Sequence, residues 1–213
     1  MTKEIVKPKF PFFDTEAVMA KDLPESCLEV YLVPKTLKKQ EALDNHYIKW
    51  LGECPKKYAV DPWTAEIVCI EFLLPNGQFE GVIGDEKACI NLFWDMATRD
   101  YQSLGGFNIL GYDIPLILVR SMVHNITPKI LLNLDKYRTP YVDVMQRLSR
   151  NGAMKFKSLD WYCGRLGLGS KNDDPSEVPE MVRAGDYERI RKYCRNDVMM
   201  TAKLFKKTCK YFN

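Results

Sequence analysis

A short apolar run that ends in two carboxylates is the feature that most constrains this sequence. The run Phe12-Phe13-Asp14-Thr15-Glu16 places two acids two residues apart, directly after two phenylalanines. In a β-strand, side chains two residues apart lie on one face of the sheet. Neighbouring carboxylates resist ionising together unless a cation holds them, so the pair suggests a site for a hard divalent metal ion. A solvated strand end would give the same local sequence.

A further acid lies near the C-terminus, in a stretch with helical spacing. Apolar residues recur there every three or four positions, which predicts one face of an amphipathic helix: Ile190, Cys194, Val198, Ala202, Phe205 and Cys209. Tyr193 and Asp197 are four residues apart and therefore share a face of this helix. A phenol and a third carboxylate thus become candidates for the same site.

The middle of the chain supplies a fourth carboxylate at a predicted strand-to-helix junction. A short apolar strand should end near Phe107, and Ile114 to Val123 has the pattern of an amphipathic helix. Asp113 is then expected as the helix N-cap, with Pro115 tolerated in the first turn.

Together the three stretches resemble the three motifs of the DEDD 3′-to-5′ exonucleases, in their tyrosine-bearing DEDDy branch. Those motifs are Asp-x-Glu, Asn followed by (Phe/Tyr)-Asp-x-Pro, and Tyr-x-x-x-Asp, and they match Asp14 to Glu16, Asn108 to Pro115 and Tyr193 to Asp197. The second stretch most resembles the exonuclease domain of family-B DNA polymerases and related free-standing exonucleases. Lys192 stands where the histidine branch would need histidine, which favours the tyrosine branch.

This resemblance implies a function and a role for each motif residue. It implies hydrolysis of nucleic acid from the 3′ end to nucleoside 5′-monophosphates, with two divalent ions, Mg²⁺ or Mn²⁺, as cofactors. Asp14, Glu16 and Asp197 would bind the ion that carries the attacking water. Asp14 would bridge to the second ion, and Asp113 would contribute to that ion mainly through water. Tyr193 would orient the nucleophile by a hydrogen bond.

The fold expected from these patterns is α/β and RNase H-like, with a mixed five-stranded sheet flanked by helices. An antiparallel meander should precede parallel strands. Its segments are a first strand at about residues 9–17, strands Glu66–Leu74 and Gln78–Ile83 joined by Asn76-Gly77, a helix from Asp85 to Arg99, and a parallel edge strand over Thr139–Val144. Glu66 and Glu71 are interpreted as solvated strand positions. Asp143 lies in an apolar run, but no motif acid is expected there.

Residues 21–61 form an expected insertion within a single exonuclease domain spanning residues 1–213. A helix is predicted around Lys38 to Leu51, and prolines at 55 and 62 should end the segment. A surface insertion that covers the sheet edge, a flap that guides substrate and a dimer contact are all open interpretations. A homo-oligomer therefore stays open as well.

Substrate contacts are predicted from cations interleaved with aromatic residues between Ser149 and Gly169. Such surfaces hold phosphates while aromatic rings stack on unpaired bases. The predicted substrate-binding residues are Thr15, Phe107, Asn108, Lys155, Lys157 and Trp161. The rival interpretation is a short helix with an ordinary core face and solvated lysines; that face would comprise Leu159, Tyr162, Cys163 and Leu166.

Composition excludes several classes of protein. The chain has 213 residues, 46% of them apolar, and a formal charge of +3, so it can bury a sizeable core and has no strongly basic tail. Seven cysteines without metal-type spacing, no signal-peptide core and no membrane-spanning run suggest a soluble, cytoplasmic protein. Single-stranded DNA is the favoured partner. An RNase D-like enzyme acting on RNA and a non-catalytic nucleic-acid-binding module are the alternatives.

Overall fold

The strands and helices follow the expected order along the chain. A computed structural model describes residues 9–36, 38–99, 101, 103–135, 137–169 and 177–211. The strands are β1 (Phe12–Met19), β2 (Ala65–Leu73), β3 (Phe79–Ile83), β4 (Gly105–Gly106) and β5 (Val142–Asp143). The helices are α1 (Gln40–Ala59), α2 (Glu86–Thr98), α3 (Asp113–Val123), α4 (Val144–Leu148), α5 (Leu159–Arg165), α6 (Val178–Ala184) and α7 (Tyr187–Thr208), with a short 3-10 helix at Glu25–Cys27.

The strands form one mixed sheet in the order β3-β2-β1-β4-β5. β1 and β3 are antiparallel to β2, whereas β1, β4 and β5 run parallel to one another. The predicted five-stranded mixed sheet, the hairpin at Asn76-Gly77 and the parallel edge strand are therefore confirmed. A Cβ at Gly106 would lie 2.8 Å from the Phe13 carbonyl oxygen, so the close approach of β4 to β1 requires glycine at this position.

Helices α2 and α3 cover one face of the sheet. Alternation along β1 directs Phe13 to this face, where it stacks on Phe72 at 5.2 Å between ring centroids and contacts Phe93. Trp94 is fully buried in the same cluster, and its indole nitrogen donates to Ser121. Large aromatic side chains thus fix β1 and β2 against the two helices.

Helix α7 covers the opposite face, to which alternation directs Phe12, Asp14, Glu16 and Val18. Phe12 packs in one apolar cluster with the second half of α7, and Val18 packs in another with its first half. The two acids lie between these clusters. The β1 alternation therefore places its carboxylates beneath α7, surrounded by apolar packing.

The buried face of α7 departs from the prediction in its second half. Ile190, Cys194 and Val198 are fully buried as predicted, but Leu204 is buried where Phe205 was expected. A spacing of four residues advances 400° around a helix rather than 360°, so a strict four-residue pattern drifts off the core face. The packed face follows the helical period instead.

The inserted segment is more helical than predicted. α1 extends beyond Leu51, where the predicted helix ended, and continues through Pro55 to Ala59. Tertiary contacts fix its last turns: Tyr58 is buried and accepts a hydrogen bond from the Glu29 backbone, and Lys57 pairs with Glu29. No helix in the described part of the chain is long and apolar enough to cross a bilayer.

Candidate active site

Strand β1 presents Asp14 and Glu16 at an irregular point of the sheet. Glu16 lies opposite Cys69 and Ala17 lies opposite Ile67, so β2 carries one extra residue, Val68, directly beside Glu16. A β-bulge bends its strand and increases the local twist, and bulges are frequent next to active sites. The irregularity therefore lies at the end of the acidic pair, directly after Glu16.

Asp113 joins this pair through a contact that the sequence did not predict. It is the first residue of α3 rather than its N-cap, which is Tyr112, so that prediction is wrong. Its carboxylate turns away from its own helix and toward β1, where one oxygen accepts from the Thr15 backbone nitrogen at 3.0 Å and from the Thr15 hydroxyl at 2.6 Å. Thr15 lies between Asp14 and Glu16, so its two hydrogen bonds hold Asp113 close to the first motif.

Burial dominates the electrostatics of Asp113. The side chain is almost completely buried, and burial raises its pKa to about 6 from an ordinary value of 3.8. The two Thr15 hydrogen bonds oppose this rise, whereas the nearby charge of Asp143 adds to it. A carboxylate in this setting favours a proton or a cation at its surface.

Helix α7 brings the third motif against β1. Asp186 begins the helix by accepting from the Arg189 backbone nitrogen at 3.2 Å, and Tyr193 and Asp197 are both buried. The Cys194 thiol donates to the Asp14 carbonyl oxygen at 3.4 Å. This contact joins the first and third motifs, which are 180 residues apart.

An acidic cluster follows from this packing. Among the described residues, ligand atoms of Asp14, Glu16 and Cys194 lie within 4.8 Å of one another. Burial raises the pKa of Cys194, and neighbouring Cys69 and Asp14 raise it further, so the thiol stays neutral. The atoms left to bind a cation in this cluster are carboxylate oxygens.

Asp143 has a structural position that the sequence did not reveal. One of its oxygens accepts from the backbone nitrogens of Asn108 and Gln146, at 3.1 and 3.0 Å, and the other accepts from Leu110 at 3.1 Å. It thereby caps α4 and holds the second-motif loop, in which Asn108 has a φ of 62°. An acid at a strand end that directly precedes a helix was the available signal.

The position of Glu71 differs most from the one expected from the sequence. It was expected to be solvated, yet it is fully buried, opposite Asp14 on β2. It accepts from the Nε of Arg195 at 3.0 Å and pairs with the Nε of Arg191 at 3.2 Å. Burial raises its pKa, whereas Arg195 and Arg191 lower it. The two arginines flank Tyr193 in sequence, so Glu71 fixes this part of α7 against the sheet.

Glycine makes room for this buried carboxylate. A Cβ at Gly81 would lie 2.3 Å from the Glu71 side chain, so only glycine allows β3 to run beside it. Glu66, the other acid expected to be solvated, is half-buried and accepts from the Lys21 backbone nitrogen at 3.1 Å. Both acids are therefore held by protein contacts.

Most of the predicted substrate-binding residues lie around the second motif and α5. Phe107 packs edge-on against Tyr162, which packs edge-on against Trp161, and Lys157 lies 5.2 Å from the Trp161 ring. Lys155 is exposed and lies two residues before Lys157.

The two remaining predicted substrate contacts are Thr15, which is buried, and Asn108, which is half-buried. Both donors of Thr15 are directed at Asp113, and the Asn108 backbone nitrogen donates to Asp143.

The rival interpretation of α5, a short helix with an ordinary core face, is partly right. In α5, Leu159 and Cys163 form a core face, while Trp161 is 47% exposed. The helix therefore has one packed face and one aromatic outer face.

This mixed sheet with helices on both faces is a fold also found in a family-B DNA polymerase. The structure is similar to that of the family-B DNA polymerase from the hyperthermophilic archaeon Pyrobaculum calidifontis, with a TM-score of 0.64 and 16% sequence identity. The match covers 94% of this chain and 24% of the polymerase chain, so this chain corresponds in length to about a quarter of that protein.

A comparison of the amino-acid sequence with protein families shows the family of this chain. Residues 73–212, more than half of the chain, match the model of a family described as predicted 3′-5′ exonucleases related to the exonuclease domain of PolB. The chain belongs to this family. No curated protein sequence matches the chain.

Proposed function

We propose that this protein is a metal-dependent 3′-to-5′ exonuclease that shortens single-stranded DNA and releases nucleoside 5′-monophosphates. The observation that carries the proposal is the packing of the Tyr193-to-Asp197 turn of α7 onto β1, which joins the third motif to the acids of the first. Family membership supports the reaction type. In this proposal residues 1–213 form a single exonuclease domain, with residues 21–61 inserted after β1.

The donor set fits Mg²⁺ or Mn²⁺. These ions prefer oxygen ligands, and the neutral Cys194 thiol leaves carboxylates as the donors of the cluster. Asp14, Glu16, Asp113 and Asp197 would hold two ions. When bound, such ions activate a water molecule and stabilise the departing 3′ oxygen.

The chain's own residues position the reacting groups. Thr15 holds Asp113 in place, and Asp143 holds the loop that carries Asn108. Tyr193 would orient the attacking water by a hydrogen bond rather than act as a base, because a phenol with an ordinary pKa of ~10 is mostly protonated at neutral pH. Phe107 and Trp161 would stack on bases at the strand end while Lys157 holds a phosphate.

The substrate proposal favours DNA over RNA. Its support is the family's relation to a DNA polymerase exonuclease domain and the similar fold of an archaeal DNA polymerase. Trp161 and Lys157 bind through stacking and charge, which are tolerant of base sequence, so little sequence preference is expected.

The decisive experiment is degradation of a 5′-labelled single strand, as DNA and as the matching RNA, in Mg²⁺, Mn²⁺ and EDTA. We expect a ladder that shortens from the 3′ end of DNA in either metal and is absent in EDTA. Asp14→Asn should abolish the ladder, and Tyr193→Phe should slow it by about 10- to 100-fold.

Asp95→Asn is the matched control, because Asp95 is an exposed acid on α2. It should leave the rate unchanged. Cutting of RNA alone would replace the DNA assignment with the RNase D-like one. Binding of both strands without cleavage in any metal would contradict the catalytic proposal and leave a binding module.

A further inference from the structure

A groove runs along α7 on the side of the β2–β3 hairpin. One cavity of about 370 Å³ lies against the first half of the helix, and another of about 440 Å³ lies against the second half. Both are lined by Phe79 and Met199, so the two cavities adjoin along the helix. Tyr193 lines the first cavity, which places one end of the groove at the candidate active site.

Cations follow this groove on one face of α7. Lys192 and Arg195 line the first cavity, and Lys203 and Lys206 line the second. Together with Met199 they are spaced by three or four residues, so they form one stripe roughly 21 Å long. Among the described residues lining the two cavities, Glu188 is the only acid, and it pairs with Arg191.

Arg195 is held in a fixed position within the stripe. Its Nε donates to buried Glu71 at 3.0 Å, and its guanidinium lies 5.0 Å from the centroid of the Phe79 ring. The Glu71 contact uses Nε, which leaves the two terminal amino groups to bind another anion. An arginine already fixed in this way loses little conformational entropy when it binds a phosphate oxygen.

The groove also has an apolar side. Phe10, Leu73, Phe79 and Met199 contribute apolar surface next to the lysines. Regularly spaced cations beside such a surface match a strand that carries one phosphate per nucleotide and exposes its bases. The cations beside an apolar surface are thus complementary to both the phosphates and the bases of such a strand.

We propose that this α7 groove binds the sugar-phosphate backbone of the single strand whose 3′ end lies at the active site. The inference rests on the proposed function, because it assigns that substrate's strand a path. Arg195 would contact a phosphate close to the scissile bond, and Lys203 and Lys206 would contact phosphates farther along the strand.

Binding and its salt dependence test the groove separately from catalysis. Fluorescence anisotropy of a labelled single strand is measured in EDTA between about 50 and 200 mM salt, with DNA and RNA in separate arms. Lys203→Gln with Lys206→Gln should weaken DNA binding about tenfold. The slope of log K against log salt is negative, and the double change should make it shallower by about 1.4, because two phosphate contacts are lost. In Mg²⁺ the same variant should raise KM and leave kcat unchanged.

Lys207→Gln with Lys210→Gln removes the same charge from the last turn of α7 and the turn that follows it, and is the matched control. Both lysines are exposed, and neither lines the groove. This control should bind like the unaltered protein. Two results would overturn the proposal that the groove binds the strand: equal effects of the groove pair and the control pair, or no binding of DNA or RNA by the unaltered protein.

The groove and the proposed function fail independently. Hydrolysis of DNA with binding that is insensitive to Lys203 and Lys206 would overturn the groove alone. Groove-dependent binding without hydrolysis would uphold the groove and contradict the catalytic proposal. A groove effect confined to the RNA arm would uphold the phosphodiester path and assign RNA as its occupant.

Discussion

The two longest helices, α1 and α7, are similar in length and very different in what they bury. α1 has 20 residues and buries only Tyr58, whereas α7 has 22 residues and buries nine. Both are polar on average, so composition does not distinguish them. The difference lies in the period: the buried side chains of α7 follow one face of the helix, while Tyr47 and Leu51 of α1 are 43% and 48% exposed.

Buried charge is the second difference between the two helices. α7 buries Asp197 and ties two of its arginines to buried Glu71. Burying charge is costly unless each group is paired or binds a cation. We infer that α7 bears this cost because its buried face carries the proposed site, whereas α1 lies outside the core and buries only Tyr58.

The largest expected effect follows from removing an acid from the buried face of α7. Asp197→Asn should lower the exonuclease rate by more than about 100-fold, because even partners of metal ligands cost 10- to 100-fold. The measurement is the initial rate on 5′-labelled single-stranded DNA in Mn²⁺. Lys207→Gln, an exposed change on the same helix, serves as the control. A loss under tenfold would remove Asp197 from the site.

Removing a leucine side chain should cost several kcal/mol more unfolding free energy on α7 than on α1. Leu204→Ala on α7 removes a fully buried side chain and should cost about 2 to 5 kcal/mol of unfolding free energy. Leu51→Ala makes the same change on α1, where the side chain is half exposed, and should cost less than about 1 kcal/mol. Urea unfolding of both variants measures the difference. Similar losses would contradict the contrast between α1 and α7.

Burial of Asp113 should be visible as a pH dependence of stability in EDTA. Its folded pKa of about 6 lies above its ordinary value of 3.8, so the folded state binds the proton more tightly. Stability should therefore fall as pH rises from about 4 to 6, by about 2 to 3 kcal/mol for this group. Asp113→Asn should remove that decrease and be more stable than the unaltered protein at pH 7.5. Identical pH profiles would contradict this assignment.

The contact between α1 and the second motif should have the smallest effect. Tyr112, which precedes Asp113, donates a hydrogen bond to the Ala59 carbonyl at the end of α1. Tyr112→Phe should cost about 1 kcal/mol and increase amide hydrogen exchange in the last turn of α1. Exchange in α7 should stay unchanged. Equal increases in both helices would mean that α1 and α7 unfold as one unit.

Local patterns were sufficient for the order of the elements and for the positions of the motifs. Alternation in β1, the Asn76-Gly77 turn and the spacing of Tyr193 and Asp197 are properties of a few adjacent residues, and the structure follows them. The α7 pattern was reliable as far as Val198; the three consecutive steps of four from Ile190 to Ala202 then moved the predicted residues off the buried face.

What the sequence could not give depends on partners far away in the chain. Glu71 is buried because Arg191 and Arg195 reach it from more than 100 residues away, and no local pattern records that pairing. Asp143 is directed inward by backbone nitrogens of a loop about 35 residues earlier. The helix through Pro55 likewise depends on tertiary contacts of its last turns.

The most direct test of the central claim, that β1 and α7 build one cation site, is Mn²⁺ binding measured by electron paramagnetic resonance. The unaltered protein, Asp14→Asn, Asp197→Asn and Asp95→Asn are titrated side by side without substrate. We expect the first two variants each to lose most of the binding, since their carboxylates come from the two elements that share the site, and Asp95→Asn to bind normally. Full Mn²⁺ binding by Asp197→Asn together with loss in Asp14→Asn would contradict a site shared between strand and helix.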